Sequence, residues 1–108
     1  MNDTLEALTD ARIALSYLRR VAVEGKDKAL ADRLTAQIET LKIRIGALRL
    51  RSQAEWEAQA RGLEGKIMAA QGRLEGILKE VEQGEATMDR VGKAAGVVDD
   101  ILALLGKA

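Results

Sequence analysis

Proline, cysteine, histidine and phenylalanine are all absent from this chain of 108 residues, which contains one Trp and one Tyr. Without proline, no residue forces a helix to end, and the abundant Ala, Leu, Glu, Lys and Arg residues favour helix throughout. Because aromatic residues make up only 2% of the chain, the core must consist of Leu, Ile, Val, Met and Ala. These absences predict an all-α protein with closely packed helices.

The missing residue types also limit the chemistry that the chain can perform. Histidine is the usual general base near neutral pH, and cysteine is a strong nucleophile and a common metal ligand. The neighbouring carboxylates Asp99 and Asp100 point about 100° apart on a helix, so they do not converge on one ligand. We therefore expect a protein that is not an enzyme and that holds no cofactor and no metal.

Charge and hydropathy patterning favour a cytoplasmic protein. No apolar run approaches the roughly 20 residues of a membrane span, and no leader of basic and then apolar residues follows Met1. The net charge is zero, but residues 1–54 carry ten Lys/Arg and seven Asp/Glu, whereas residues 55–108 carry seven and ten. This asymmetry favours an arrangement that brings the two halves together, within one chain or between two.

The first part of the chain has the pattern of an amphipathic helix followed by a tight turn. Residues that suit a buried face recur at alternating steps of four and three, which predicts a helix over 4–23. Gly25 as a C-cap and Asp27 as the N-cap of the next helix predict a turn over 24–27. The residues of the buried face are Thr4, Leu8, Ala11, Leu15, Leu18 and Ala22.

Two heptad seams follow, and they differ by one residue in register. They predict a long helix over 28–82 with a seam shift at 49–56, because a one-residue slip turns the apolar stripe by about 100°. This shift marks a change of partner face, a local bend or a helix boundary, so residues 28–82 form either one helix or two. We expect the seams to carry association of the chain with itself, as a homo-oligomer, and possibly with another helical protein. The seam residues are Leu34, Ile38, Leu41, Ile45, Leu48, Leu63, Ile67, Leu74, Ile77 and Val81.

Gly84 occupies a position where the second seam requires a large apolar residue. Glycine fills no space there and weakens a helix, so we expect a break near 83–86 and a further helix over 86–105. The unbroken register leaves one helix over 63–105 as the alternative. The predicted fold is an antiparallel helical hairpin or a three-helix coiled-coil bundle, oligomeric because an extended chain of this size leaves an apolar stripe uncovered.

A second stripe, opposite the second seam, contains only small residues. Such a stripe lets another backbone approach closely, and Ala7, Ala11 and Ala14 in the first helix offer matching spacing. The alternative is a solvated face that happens to be rich in Ala and Gly. The stripe consists of Ala58, Gly62, Gly65, Ala69, Gly72 and Gly76.

Basic residues flank the seams, and no acidic residue lies between positions 40 and 54. Flanking charges select partners in coiled coils, which favours a non-enzymatic assembly, adaptor or chaperone-like protein that acts through coiled-coil contacts. The alternative is a nucleic-acid-associated helical protein with a basic ridge at residues 12–51. Nucleic acid is the less expected partner, because no aromatic residues are interleaved for stacking. The basic flank consists of Arg12, Arg19, Lys42, Arg44, Arg49 and Arg51.

We predict that Leu41→Asp and Leu74→Asp each lower the free energy of unfolding by several kcal/mol, because each places an unpaired charge in an apolar seam. Arg44→Ala, at a flanking position, should have a much smaller effect. Urea unfolding of the three variants measures the difference, and equal losses would show that the seams are misplaced.

Overall fold

The structure is a computed structural model that describes residues 2–51, 54, 55, 62–84 and 87–106. Four α-helices lie within these ranges, and no strand does. The prediction of an all-α protein is confirmed, with one helix more than the three-helix prediction allowed. The helices are α1 (Asn2–Glu24), α2 (Lys28–Arg49), α3 (Leu63–Glu82) and α4 (Thr87–Gly106).

The turn between α1 and α2 is closed by backbone hydrogen bonds. The amide of Asp27 donates to the carbonyl of Ala22 at 3.0 Å, and the Asp27 side chain accepts from the amide of Leu30 at 3.1 Å, so Asp27 caps α2 as predicted. The left-handed residue of this turn is Lys26, with φ of 59°, and not the expected Gly25. Gly25 instead leaves space for α4, because a Cβ there would lie 2.8 Å from Cε of Met88.

Residues 28–82 do not form one helix, and of the three alternatives at 49–56 the structure shows a helix boundary, because α2 ends at Arg49. After α2, the amides of Leu50 and Arg51 donate to carbonyls only three residues back, which tightens and ends the helix. Gly62, immediately before α3, has φ of 89°, which an α-helix cannot contain. The predicted seam shift at 49–56 overlaps the end of α2, and residues 52, 53 and 56–61 lie outside the described residues.

A second turn separates α3 from α4, so residues 63–105 do not form one helix. α3 ends at Glu82, and Gly84 has φ of 83°, in the left-handed region that favours glycine. Glycine at this position therefore serves the turn, which explains why it interrupts an apolar seam.

The helices pack as two hairpins, α1 with α2 and α3 with α4. α1 also packs on α3, α2 on α4, and α1 touches α4 across the centre. Since Met88 lies beside Gly25, the two turns are at the same end, and α1 runs parallel to α3. The whole measures 44 × 22 × 18 Å.

The predicted seam residues form the core of this one chain. Seven of the ten are buried, and Ile38, Leu63 and Ile77 are half-buried against them. The apolar stripes are thus covered by the chain's own helices. Association was predicted because a stripe would remain uncovered, and this arrangement removes that reason. A second molecule would have to contact other surfaces.

Within the described residues, no other helix covers the part of the small-residue stripe that lies on α3. Gly65, Ala69, Gly72 and Gly76 are exposed, and no atom lies within 4 Å of a Cβ built at any of the three glycines. The predicted close approach to the alanines of α1 is therefore wrong within the chain. Ala11 and Ala14 belong to the hydrophobic core, and Ala7 and Gly72 lie on either side of a groove between α1 and α3. Gly62 is exposed at the start of α3, and Ala58 lies outside the described residues.

We predict that Gly72→Ala and Gly76→Ala each raise the free energy of unfolding by up to about 1 kcal/mol, because alanine favours helix and meets no neighbour at either position. Gly84→Ala is the matched control and should destabilise, because its φ is positive. Thermal melts compare the three variants. A loss of stability in Gly72→Ala would contradict the open environment of α3.

Candidate interaction surfaces

The described residues form no site for metal chemistry. None of their Asp and Glu side chains gather in groups of three or more that could hold a metal ion. Nor is any helix among them long and apolar enough to cross a membrane.

A polar cluster joins α2 to α4. Arg33 Nη2 donates to Asp99 Oδ2 at 2.6 Å, and Gln37 Nε2 donates to Asp99 Oδ1 at 2.7 Å and to the carbonyl of Ala95 at 2.8 Å. The hydrogen bond from Arg33 lowers the pKa of Asp99 below its ordinary value, although partial burial acts in the opposite direction. These bonds fix the position of α2 along the axis of α4.

Three apolar residues form a line on the outer face of α2, and we call them the α2 ridge: Ile43, Ala47 and Leu50. Ile43 is 71% exposed and Leu50 is 89% exposed, and Ala47 is exposed between them. Steps of four and three residues place all three on one side of the helix. That side is opposite Leu41 and Ile45, which face the core.

Exposed basic side chains flank the α2 ridge. Arg44 lies on one side of it, and Lys42 and Arg49 lie toward α1. Lys42 contacts Glu39 of its own helix at 3.7 Å. Arg44 and Arg49 form no ion pair with other described residues. The helix dipole favours Arg49 in the last turn, but it does not account for Arg44.

The remaining predicted basic residues lie beside or beyond this surface. Arg19 Nε donates to Thr35 Oγ1 at 2.7 Å, across the α1–α2 hairpin. In an antiparallel pair this bond places Arg12 level with Lys42, so both lie along the hairpin. Arg51 follows the end of α2 and already has an interaction partner. The structure thus spreads the six residues over two faces instead of one.

An acidic groove of about 300 Å³ lies between α1 and α3, and we call it the α1–α3 groove. Its carboxylates come from both helices, and its floor contains the exposed Met68 and the buried Gln71. It is lined by Glu6, Ala7, Asp10, Met68, Gln71, Gly72 and Glu75. Glu6 and Asp10 form no ion pair with other described residues.

A larger open depression of about 800 Å³ lies between the first turns of α2 and α4. Three of its five charged groups already have partners, because Arg33 binds Asp99, Arg90 binds Glu80 and Asp27 caps α2. The other two, Asp89 and Lys93, have opposite charges, so this depression does not favour a ligand of one sign as the acidic α1–α3 groove does.

Sequence reasoning missed both the α2 ridge and the α1–α3 groove. The ridge has a signal in the sequence, since Ile43, Ala47 and Leu50 repeat at steps of four and three between seam residues. The groove has none, because it exists only where α1 and α3 pack together.

Comparisons with protein-family models, with curated proteins and with solved structures find no match for this chain.

We predict that Asp99→Asn lowers the stability at neutral pH, by under about 1 kcal/mol because the pair with Arg33 is half-exposed. The folded state lowers the pKa of Asp99, so its contribution is present above the unfolded pKa and is lost as the pH falls through the folded pKa. The difference between wild type and variant should therefore begin to shrink only below about pH 4, and it should vanish once the pH is below the lowered pKa of folded Asp99.

Urea unfolding at neutral and acid pH measures this convergence. Asp100→Asn is the matched control, because Asp100 stands 3.8 Å from Arg73 and should show the smaller difference. A deficit in Asp99→Asn that is the same at both pH values would refute an electrostatic origin.

Proposed function

We propose that this chain is a non-enzymatic helical assembly or adaptor protein, chaperone-like in that it binds another protein through the outer face of a helix. The observation that supports this proposal is the α2 ridge. Single exposed apolar residues are common on protein surfaces, but a line of them at i, i+4 and i+7 is the pattern by which a helix is recognised in a groove. Covering Ile43 and Leu50 would remove apolar surface from water.

The flanking charges specify the kind of partner. Arg44 and Arg49 stand beside the ridge without acidic partners among the described residues. A protein surface with an apolar strip and acidic edges would complement both features. The core seams, which we first expected to carry association, serve the chain's own fold, so coiled-coil contacts with a partner would use the ridge instead.

Nucleic acid is the second candidate partner. Arg12, Lys42 and Arg49 lie along the α1–α2 hairpin, where a phosphate backbone would meet several positive charges. The exposed Ile43 and Leu50 argue against this candidate, because aliphatic side chains gain little beside phosphates. Binding of this kind would weaken steeply as salt increases.

We predict that a photoreactive amino acid in place of Ile43 cross-links to protein in an extract of the source cells, whereas the same group in place of Val23 does not. Val23 is the matched control, because it is also aliphatic and exposed, at 57%, and lies at the end of α1. Mass spectrometry of the adducts identifies the acidic surface that is reached.

Two outcomes would contradict the proposal. Equal cross-linking from Ile43 and Val23 would show that the ridge has no special affinity. Adducts with nucleic acid in place of protein, accompanied by a salt-sensitive gel shift of the purified chain, would favour the second candidate.

A further inference from the structure

We infer that the partner of the α2 ridge is the α1–α3 groove of a second copy of this chain. This inference rests on the proposed function and identifies the partner surface. The ridge presents Ile43, Ala47 and Leu50 with basic flanks, and the groove presents Met68 with acidic edges. The ridge therefore supplies aliphatic side chains and positive charge, and the groove supplies a recess and negative charge.

The charges of the two surfaces are opposite and largely unpaired. Arg44 and Arg49 beside the ridge, and Glu6 and Asp10 beside the groove, form no ion pairs with other described residues. Docking would bring the positive and negative side chains together at the solvent-exposed edge of the contact. Their attraction would orient the two molecules, and salt would weaken it.

The floor of the groove has apolar and small residues that suit a helix ridge. Met68 is 45% exposed, and its flexible side chain adapts to different aliphatic neighbours. Gly72 lies beside it, and no atom lies within 4 Å of a Cβ built there. An incoming helix can therefore approach α3 closely on this side.

Gln71 and Glu75 add polar groups to the lining of the groove. Gln71 is only 5% exposed, and its Nε2 donates to Oε1 of Glu75 over a long distance of 3.5 Å. This contact satisfies the Glu75 carboxylate only weakly, so Glu75 can still accept from a guanidinium of the ridge.

The positions of the two surfaces determine the form of the assembly. The ridge faces outward from α2, whereas the groove lies on the side of the molecule formed by α1 and α3. One molecule cannot offer both surfaces to the same partner. Association is therefore head-to-tail, and it continues from copy to copy unless the rotation between copies closes a ring.

The test uses the purified full chain in sedimentation equilibrium from micromolar to millimolar concentration. We expect a weight-average mass that rises above the 11.7 kDa of one chain at low salt and falls toward it at high salt. The ridge variant Ile43→Ser with Leu50→Ser, and the groove variant Asp10→Lys with Glu75→Lys, should each remain at the mass of one chain. All four positions are exposed, so the fold is retained, and circular dichroism verifies it.

Mixing the two variants gives the decisive measurement. The mixture keeps one intact ridge and one intact groove, so it should form a one-to-one pair of twice the chain mass and nothing larger. The matched control, Val23→Ser with Glu24→Lys, changes an exposed aliphatic residue and an acid away from both surfaces and should associate as the wild type does.

Three results would overturn the inference: a wild type at 11.7 kDa under all conditions, variants that associate normally, or a mixture that stays monomeric. A separate result decides the proposed function. If the purified chain never associates with itself but Ile43 still cross-links to a different protein in the extract, the inference fails and the proposed function does not.

Discussion

The contact of α1 with α4 across the centre of the molecule is the constraint on which the rest of the arrangement depends. Each of these helices touches all three others, so together they join the two hairpins. Small residues make this approach possible, because Ala11 and Ala22 of α1 and Ala94 and Ala95 of α4 are completely buried. Larger side chains at those positions would push the hairpins apart and leave gaps between the surrounding leucines.

Burial of the leucine and isoleucine seams leaves the chain with few apolar residues to offer a partner. The described large apolar residues that remain exposed are Ile13, Val23, Ile43, Leu50 and Met68. Two of them lie on the α2 ridge between basic residues, and Met68 lies in the acidic α1–α3 groove. A chain of zero net charge thus keeps charge of opposite sign beside exposed apolar side chains on different faces. That distribution is the basis of the association that we propose.

The polar cluster of α2 and α4 acts against slippage of the two hairpins. Leucine and valine side chains would tolerate several levels of packing, because apolar contacts are not directional. Gln37 is buried and donates both to Ala95 and to Asp99, and these bonds form at one level only. The Oε1 of Gln37 has no hydrogen-bond partner among the described residues. This is unfavourable, because a buried acceptor without a donor is destabilising.

Much of the fold was predictable from sequence, because the signals that form a helix and those that end it are local. The steps of four and three residues define the buried face of α1, and Asp27 and Gly84 mark turns through their own backbone and side-chain preferences. At the break after Leu50, the sequence left open a change of partner face, a bend or a helix boundary. The slip in register was visible, but whether a helix bends or ends there depends on what lies beside it.

Only the tertiary structure decided which helices pack against one another. The same heptad seams can be covered by another molecule or by the chain's own helices, and periodicity does not distinguish the two, because it describes one face and not its neighbour. For the same reason the small residues of α3 resembled a packing surface, yet none of the other described helices covers them. Sequence by itself determined the helical class, the turn residues Asp27 and Gly84, and the apolar seams that are buried. The hairpin packing decided which faces stay open, because that depends on contacts between residues far apart in the chain.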